Sequence, residues 1–152
     1  MLQPKLILAP FDFSNPARDA ADTAADVASR FGAGLLLVHV VPALPRLPPD
    51  VSIFKEGEYE HRLHEDAVRR IAEVAAKYAQ AGLSVRSEVG IANDVGMEIL
   101  RVAKHHEAGL IVIATHGMSG FNKLVFGSVA EKVVRLADVP VLLLRVPREH
   151  KG

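Results

Sequence analysis

The pattern of this chain predicts an α/β domain: one open, parallel sheet of five strands with helices on both faces. Short apolar runs alternate repeatedly with stripes of helical period, the signature of successive βαβ units. Two of the runs, Leu35–Val41 (apart from His39) and Leu110–Ala114, are apolar along their length, as strands covered on both faces are. A third run, Leu83–Val89, alternates instead, which suits a strand with one wet face near a sheet edge. At 152 residues the chain fits one domain over residues 1–152. A domain of that size buries roughly two-thirds of its unfolded surface.

Leu6–Pro10 is the first strand. Asn15-Pro16 then offers an N-cap followed by proline at the first helical position. The next helix places Ala17, Ala20, Ala21, Ala24, Val27, Ala28 and Phe31 on one face, and Gly32 is its expected C-cap. Leu35–Val41 is the second strand. Pro42, Pro45, Pro48 and Pro49 exclude regular structure after it. A long helix follows from Glu58 to Ala81, then the edge strand Leu83–Val89, a helix over Asp94–His106 and the strand Leu110–Ala114. Thr115–Phe126 is a glycine-containing loop, Ser128–Ala137 a helix with Val129, Val133, Leu136 and Ala137 inward, and Val141–Val146 the fifth strand.

Composition narrows the function classes. Lys plus Arg number 18 and Asp plus Glu number 18, so no net field draws in a nucleic acid or an anionic membrane. The few aromatics are not interleaved with basic residues, against a base-stacking platform. With no cysteine there are no disulfides, thiolate metal sites or cysteine nucleophiles. No secretory signal is visible at the N-terminus, and no apolar run approaches the ~20 residues of a membrane helix. A cytoplasmic protein is expected.

The most informative segment is the connection from Leu110 to Ser128. It holds Gly117, Gly120 and Gly127 and feeds a helix start, where unpaired N–H groups and positive partial charge suit an anion. Glycine also serves ordinary turns. Ser128 has a structural alternative, since Ser128-Val129-Ala130-Glu131 fits the S-x-x-E capping box. Lys123 is the loop's cation, and His116 could be a general base, phosphate donor or phosphoryl acceptor, although no carboxylate orienter is evident. Asp12, after the first strand, could meet a ribose hydroxyl, a base nitrogen or magnesium, or serve as a turn residue. His61, His64 and Glu65 are a weak metal candidate, and His105-His106 is better read as a favourable helix-end charge. No Walker, dinucleotide or nucleophile-elbow motif occurs.

These residues resemble the universal stress protein family over essentially the whole chain. Leu6-Ile7-Leu8-Ala9-Pro10-Phe11-Asp12-Phe13-Ser14 is similar to that family's first strand and loop, Leu37-Val38-His39-Val40-Val41 to its second strand, and Val139-Pro140-Val141-Leu142-Leu143-Leu144 to its close. Ala114-Thr115-His116-Gly117, nine residues, then Gly127-Ser128 resembles the ATP-binding signature G-x2-G-x9-G-[ST]. Ala114 replaces the signature's first glycine, which at the negative φ expected of a strand end need only fit beside the ribose.

The resemblance implies a Rossmann-like fold of the adenine nucleotide alpha hydrolase type, with strand order 3-2-1-4-5, and usually a homodimer. It implies ATP, with magnesium, in a cleft beyond strands one and four. Pro10, Asp12 and Val40 would border adenine and ribose; Ile113, Ala114 and Gly117 would line ribose and phosphates; Gly127, Ser128 and Val129 would hold the phosphates. In that order Val141–Leu144 is an apolar sheet edge that a second copy could cover. The leading expectation is a regulatory ATP-binding homodimer whose two irregular loops respond to nucleotide and change the surface offered to a protein partner. The alternatives are a slow ATPase or autophosphorylating enzyme with His116, Ser119 or Ser128 as acceptor, and an interaction module that binds no nucleotide.

Overall fold

A computed structural model describes residues 2–46, 48, 56–115 and 127–145. Strands β1 (Leu6–Pro10), β2 (Gly34–Pro42), β3 (Val85–Ala92), β4 (Leu110–Ala114) and β5 (Val141–Leu144) form one parallel sheet of order β3-β2-β1-β4-β5. Helices α1 (Asn15–Phe31), α2 (Glu56–Gln80), α3 (Val95–His105) and α4 (Ser128–Leu136) connect them.

The period of two along each strand sorts the core into two halves. Ile7, Ala9, Leu35 and Leu37 face the α1–α2 side, with the alanine stripe of α1 and Ile71 and Val74 of α2. Leu6, Leu8, Leu36, Val38 and Val40 face the α3–α4 side, with Ile99, Val102 and Val133. Alanines at 17, 20, 21, 24 and 28 are all buried, so α1 lies against the sheet.

Several boundaries differ from those expected, each for a local reason. The cap of α1 is Ser14, not Asn15: the Ser14 side chain accepts the Ala17 N–H at 3.2 Å, and Asn15 is already helical. Phe31 and Leu136 sit at helix ends beyond the sheet's cover and are 48% and 46% exposed, so neither belongs to the core. Strand β3 begins two residues later than Leu83 and runs on to Ala92, because β2 supplies backbone partners out to Pro42. Strand β5 ends at Leu144, opposite Ala114, where β4 ends; Val146 lies outside the described residues. Ser128 does not form the capping box. The cap position of α4 is Gly127, and no side chain caps this helix among the described residues.

Candidate functional site

The carboxyl ends of β1, β2 and β4 surround a cleft of about 490 Å³. Such clefts are the usual ligand sites of open α/β sheets, because the chain leaves adjacent strands in opposite directions there. Here β1 is the switch strand: its neighbours are β2 and β4. Eight of the nine residues singled out from the sequence line this one cleft: Pro10, Asp12, Val40, Ile113, Ala114, Gly127, Ser128 and Val129. The ninth, Gly117, lies outside the described residues, as do His116, Ser119, Gly120 and Lys123.

Each wall follows from its element. Val38 and Val40 of β2, Ile113 of β4 and Val95 and Ile99 of α3 supply apolar surface. Alternate residues of a strand share a face, so Val38 and Val40 fall on the α3 side together with Ile99 and Ile113. Val38, Val95 and Ile99 were not identified as site residues from the sequence, since as core-type apolar residues they carry no chemical signature. Phe11, Ser14, His39, Pro42, Thr115 and Ala130 also line the cleft.

Asp12 is held in place by the turn it helps to make. Its Oδ1 accepts the Ser14 N–H at 3.0 Å and also the Ser14 hydroxyl. Between them Phe13 takes a left-handed backbone, φ 66°, costly for a residue with a bulky side chain. Ring contacts surround that residue: Phe11 lies edge-on at 5.2 Å, His39 at 4.9 Å, and the Arg70 guanidinium sits over the ring at 4.0 Å. His39 is fixed in turn by Nδ1 against the Phe11 carbonyl at 2.7 Å.

Ala114 ends β4 in extended backbone. The non-glycine residues with positive φ among those described are Phe13 and Glu107, so alanine at this signature position is unstrained.

The phosphate question turns on helix N-termini. All four described helices start at this end of the sheet, and α1 and α3 are already capped by side chains: Ser14 binds the amide of Ala17, and Asp94 accepts the Met97 N–H at 3.0 Å. The amides of α4's first turn, Ser128 to Ala130, have no side-chain cap among the described residues and border the cleft. Gly127 corrects the expectation of a donor at that position: its N–H is spent on the Thr115 carbonyl at 2.6 Å. Its φ of −55° is open to any residue, so left-handed backbone does not explain the glycine either.

A second cavity, about 610 Å³, lies at the opposite end of the sheet and is lined by Lys5, Arg86 and His106. Helix C-termini face that end, where negative partial charge favours basic side chains. His106 there pairs with Glu88. The His61–His64–Glu65 metal candidate is not assembled: His61 contacts Glu65 at 3.1 Å, whereas His64 Nε2 contacts the Val89 carbonyl at 3.2 Å. No group of three metal-capable side chains occurs among the described residues. Nor is any helix among them long and apolar enough to cross a membrane.

A model of the universal stress protein family matches residues 4–145. The chain belongs to the universal stress protein family. Among relatives, a universal stress protein of Methanocaldococcus jannaschii is 30% identical over 149 residues, covering 96% of this chain and 85% of the relative. Among solved structures, a second M. jannaschii member superposes with a TM-score of 0.82 at 24% identity, covering 98% of this chain and all of that one. A member from Archaeoglobus fulgidus, solved in complex with dAMP, gives 0.64 at 21% identity, covering 94% and 98%. At these identities the structural likenesses establish the Rossmann-like fold of the family.

Proposed function

We propose that this chain is an ATP-binding regulatory protein, holding the adenine nucleotide in the cleft between β1, β2 and β4. The observation that carries the reading is the first turn of α4, which no side chain among the described residues caps, opening onto a cleft with apolar walls. Two charge-assisted hydrogen bonds from its amides, roughly 1.5–3 kcal/mol each, outweigh the ~0.3–1 kcal/mol of the helix dipole. The grip on phosphate is thus a matter of placed N–H groups. The Ser128 hydroxyl adds a donor beside them. Pro10, Val40 and Ile113 offer apolar contact to the base and sugar, Asp12 can accept from a ribose hydroxyl, and Ala114 leaves room beside it. Gly127 contributes close backbone approach, and Gly117 completes the signature.

The family relative solved with dAMP supports an adenine nucleotide as the ligand class. The cleft's volume, about 490 Å³, lies in the range of small-molecule sites. Magnesium fits the same arrangement in its usual manner, held by one or two carboxylates and the phosphates. Asp12 is the carboxylate lining the cleft. It uses Oδ1 for the Ser14 contacts, which leaves Oδ2 to face a cation or a ribose.

The assembly proposed is a cytoplasmic homodimer joined along β5. This strand is a sheet edge, and Leu142 on it and Val134 and Leu136 on α4 are exposed apolar residues. In this reading nucleotide occupancy alters the surface offered to a protein partner.

Acid extraction of the purified protein followed by chromatography tests the ligand. Co-purified adenine nucleotide, or a rise in melting temperature with millimolar Mg-ATP, is the expected result; a ligand at about 100 times its Kd stabilises by about 2.7 kcal/mol. The absence of both co-purified nucleotide and any thermal shift would overturn the proposal. Labelled γ-phosphate released to solution or retained on the protein would add turnover to binding.

A further inference from the structure

The N-cap of α3 and the second turn of α4 are tied together by one ion pair. Lys132 Nζ contacts Asp94 Oδ2, while Asp94 Oδ1 caps α3 by accepting the Met97 N–H. The Lys132 hydrogen bond, reinforced by the Met97 amide, holds the Asp94 carboxyl below the usual carboxylate range. The fit extends beyond the charged atoms. Gly96 is buried, and a Cβ there would lie 3.0, 3.1 and 3.2 Å from Cδ, Cβ and Cγ of Lys132. The lysine stem therefore lies directly on the α3 backbone, a path that any larger residue at 96 would crowd.

The N-terminal parts of both helices border the cleft: Val95 and Ile99 come from α3, Ser128 to Ala130 from α4. Lys132 stands four residues after Ser128, on the same face of α4. Neither Lys132 nor Asp94 lines the cleft itself.

We propose that the Lys132–Asp94 pair is a clamp that positions the phosphate-gripping turn of α4 against α3, so that both are positioning residues for ATP affinity. This rests on the nucleotide reading above and adds a claim about residues away from the ligand. The clamp sets where the amides of Ser128 to Ala130 stand relative to the apolar wall of α3. Loosening it costs the phosphate contacts while leaving adenosine contacts in place.

The test is ATP and adenosine affinity, by calorimetry at fixed ionic strength, for the wild type, Lys132→Met, Asp94→Asn, the double variant and Lys132→Arg. Methionine keeps the stem, and asparagine keeps the α3 cap. Each single variant and the double variant should bind ATP roughly three- to fivefold more weakly, the scale of an exposed ion pair. Adenosine affinity should stay within about twofold, and Lys132→Arg should restore ATP binding.

Asp94→Asn is decisive. It removes a negative charge and frees a cation near the phosphate turn, so simple electrostatics predicts tighter ATP binding, and the clamp predicts weaker. Hydrogen exchange at the Glu131 amide, which bonds the Gly127 carbonyl at 2.9 Å, should quicken in both single variants. Tighter binding by Asp94→Asn, unchanged binding by Lys132→Met, or unaltered Glu131 exchange would overturn the clamp alone. A wild type that binds no ATP would overturn the nucleotide reading and the clamp with it.

Discussion

The Thr115 carbonyl accepts the Gly127 N–H at 2.6 Å, joining the end of β4 to the start of α4 across the eleven residues between them. Thr115 is itself anchored, because its N–H donates to the Leu144 carbonyl at 2.9 Å. These two backbone bonds refer the start of α4 to the sheet, and the Lys132–Asp94 pair refers it to α3. The same bond removes Gly127 from the set of donors open to a ligand and leaves the task to the residues that follow.

Gly127→Ser therefore sets helix stability against ligand binding. Serine at a cap position accepts from the second or third amide of the turn, worth only about a few tenths of a kcal/mol over glycine. The variant should melt slightly higher than the wild type without nucleotide and bind ATP several-fold more weakly. Paired melting and calorimetric titrations check it; unchanged ATP affinity with a raised melting temperature would show that those amides are not the grip.

Ala114→Gly restores the glycine of the family signature. Since Ala114 is extended and ends β4, the change should not improve binding: ATP affinity stays within about twofold while stability falls by ~0.5–1 kcal/mol through chain entropy. Urea titrations measure the second effect. A large gain in affinity would show that the alanine methyl obstructs the ligand.

Tyr78 should set the alkaline limit of stability. Burial raises its phenol pKa above the ordinary value near 10, and the hydrogen bond to Asp22 at 2.7 Å adds to the effect. A raised folded-state pKa means stability that is intact below pH ~10 and lost as pH climbs toward the folded value. Tyr78→Phe should cost about 0.5–1 kcal/mol at neutral pH and flatten the decline above pH 10. Chemical denaturation at pH 7 and pH 11 compares the two.

Leu142→Lys tests the proposed dimer edge. Leu142 is 39% exposed, and its partner in β4 is Val112. A lysine placed on an apolar edge disfavours strand pairing between copies. Sedimentation should show the wild type as a dimer and the variant as a monomer, with little change in monomer stability. A variant that remains dimeric would place the interface elsewhere.

The architecture was legible because local chemistry and global need agree. Leu110–Ala114 is apolar at every position and becomes the doubly covered strand β4 with the expected bounds. The alanines of α1 are buried where their period places them. Strand order is not contained in any one run of residues and entered through resemblance to a family; the sheet has that order. Ser14 over Asn15 as cap, and Gly127 over Ser128, were decided by where each chain segment leaves the sheet.

What the amino-acid order determined by itself was the succession of strands and helices and the concentration of polar and glycine residues at strand ends. Hydrophobic period and turn chemistry act over a few neighbours and need no distant partner. Only the tertiary structure decided which amides remain available and which residues stand opposite one another. Thr115 takes the Gly127 N–H, Lys132 reaches Asp94 across 38 positions, and Val38 and Ile99 face the same cleft. Those relations depend on two elements arriving at one place, and hydrogen bonds and ion pairs act only at that contact distance.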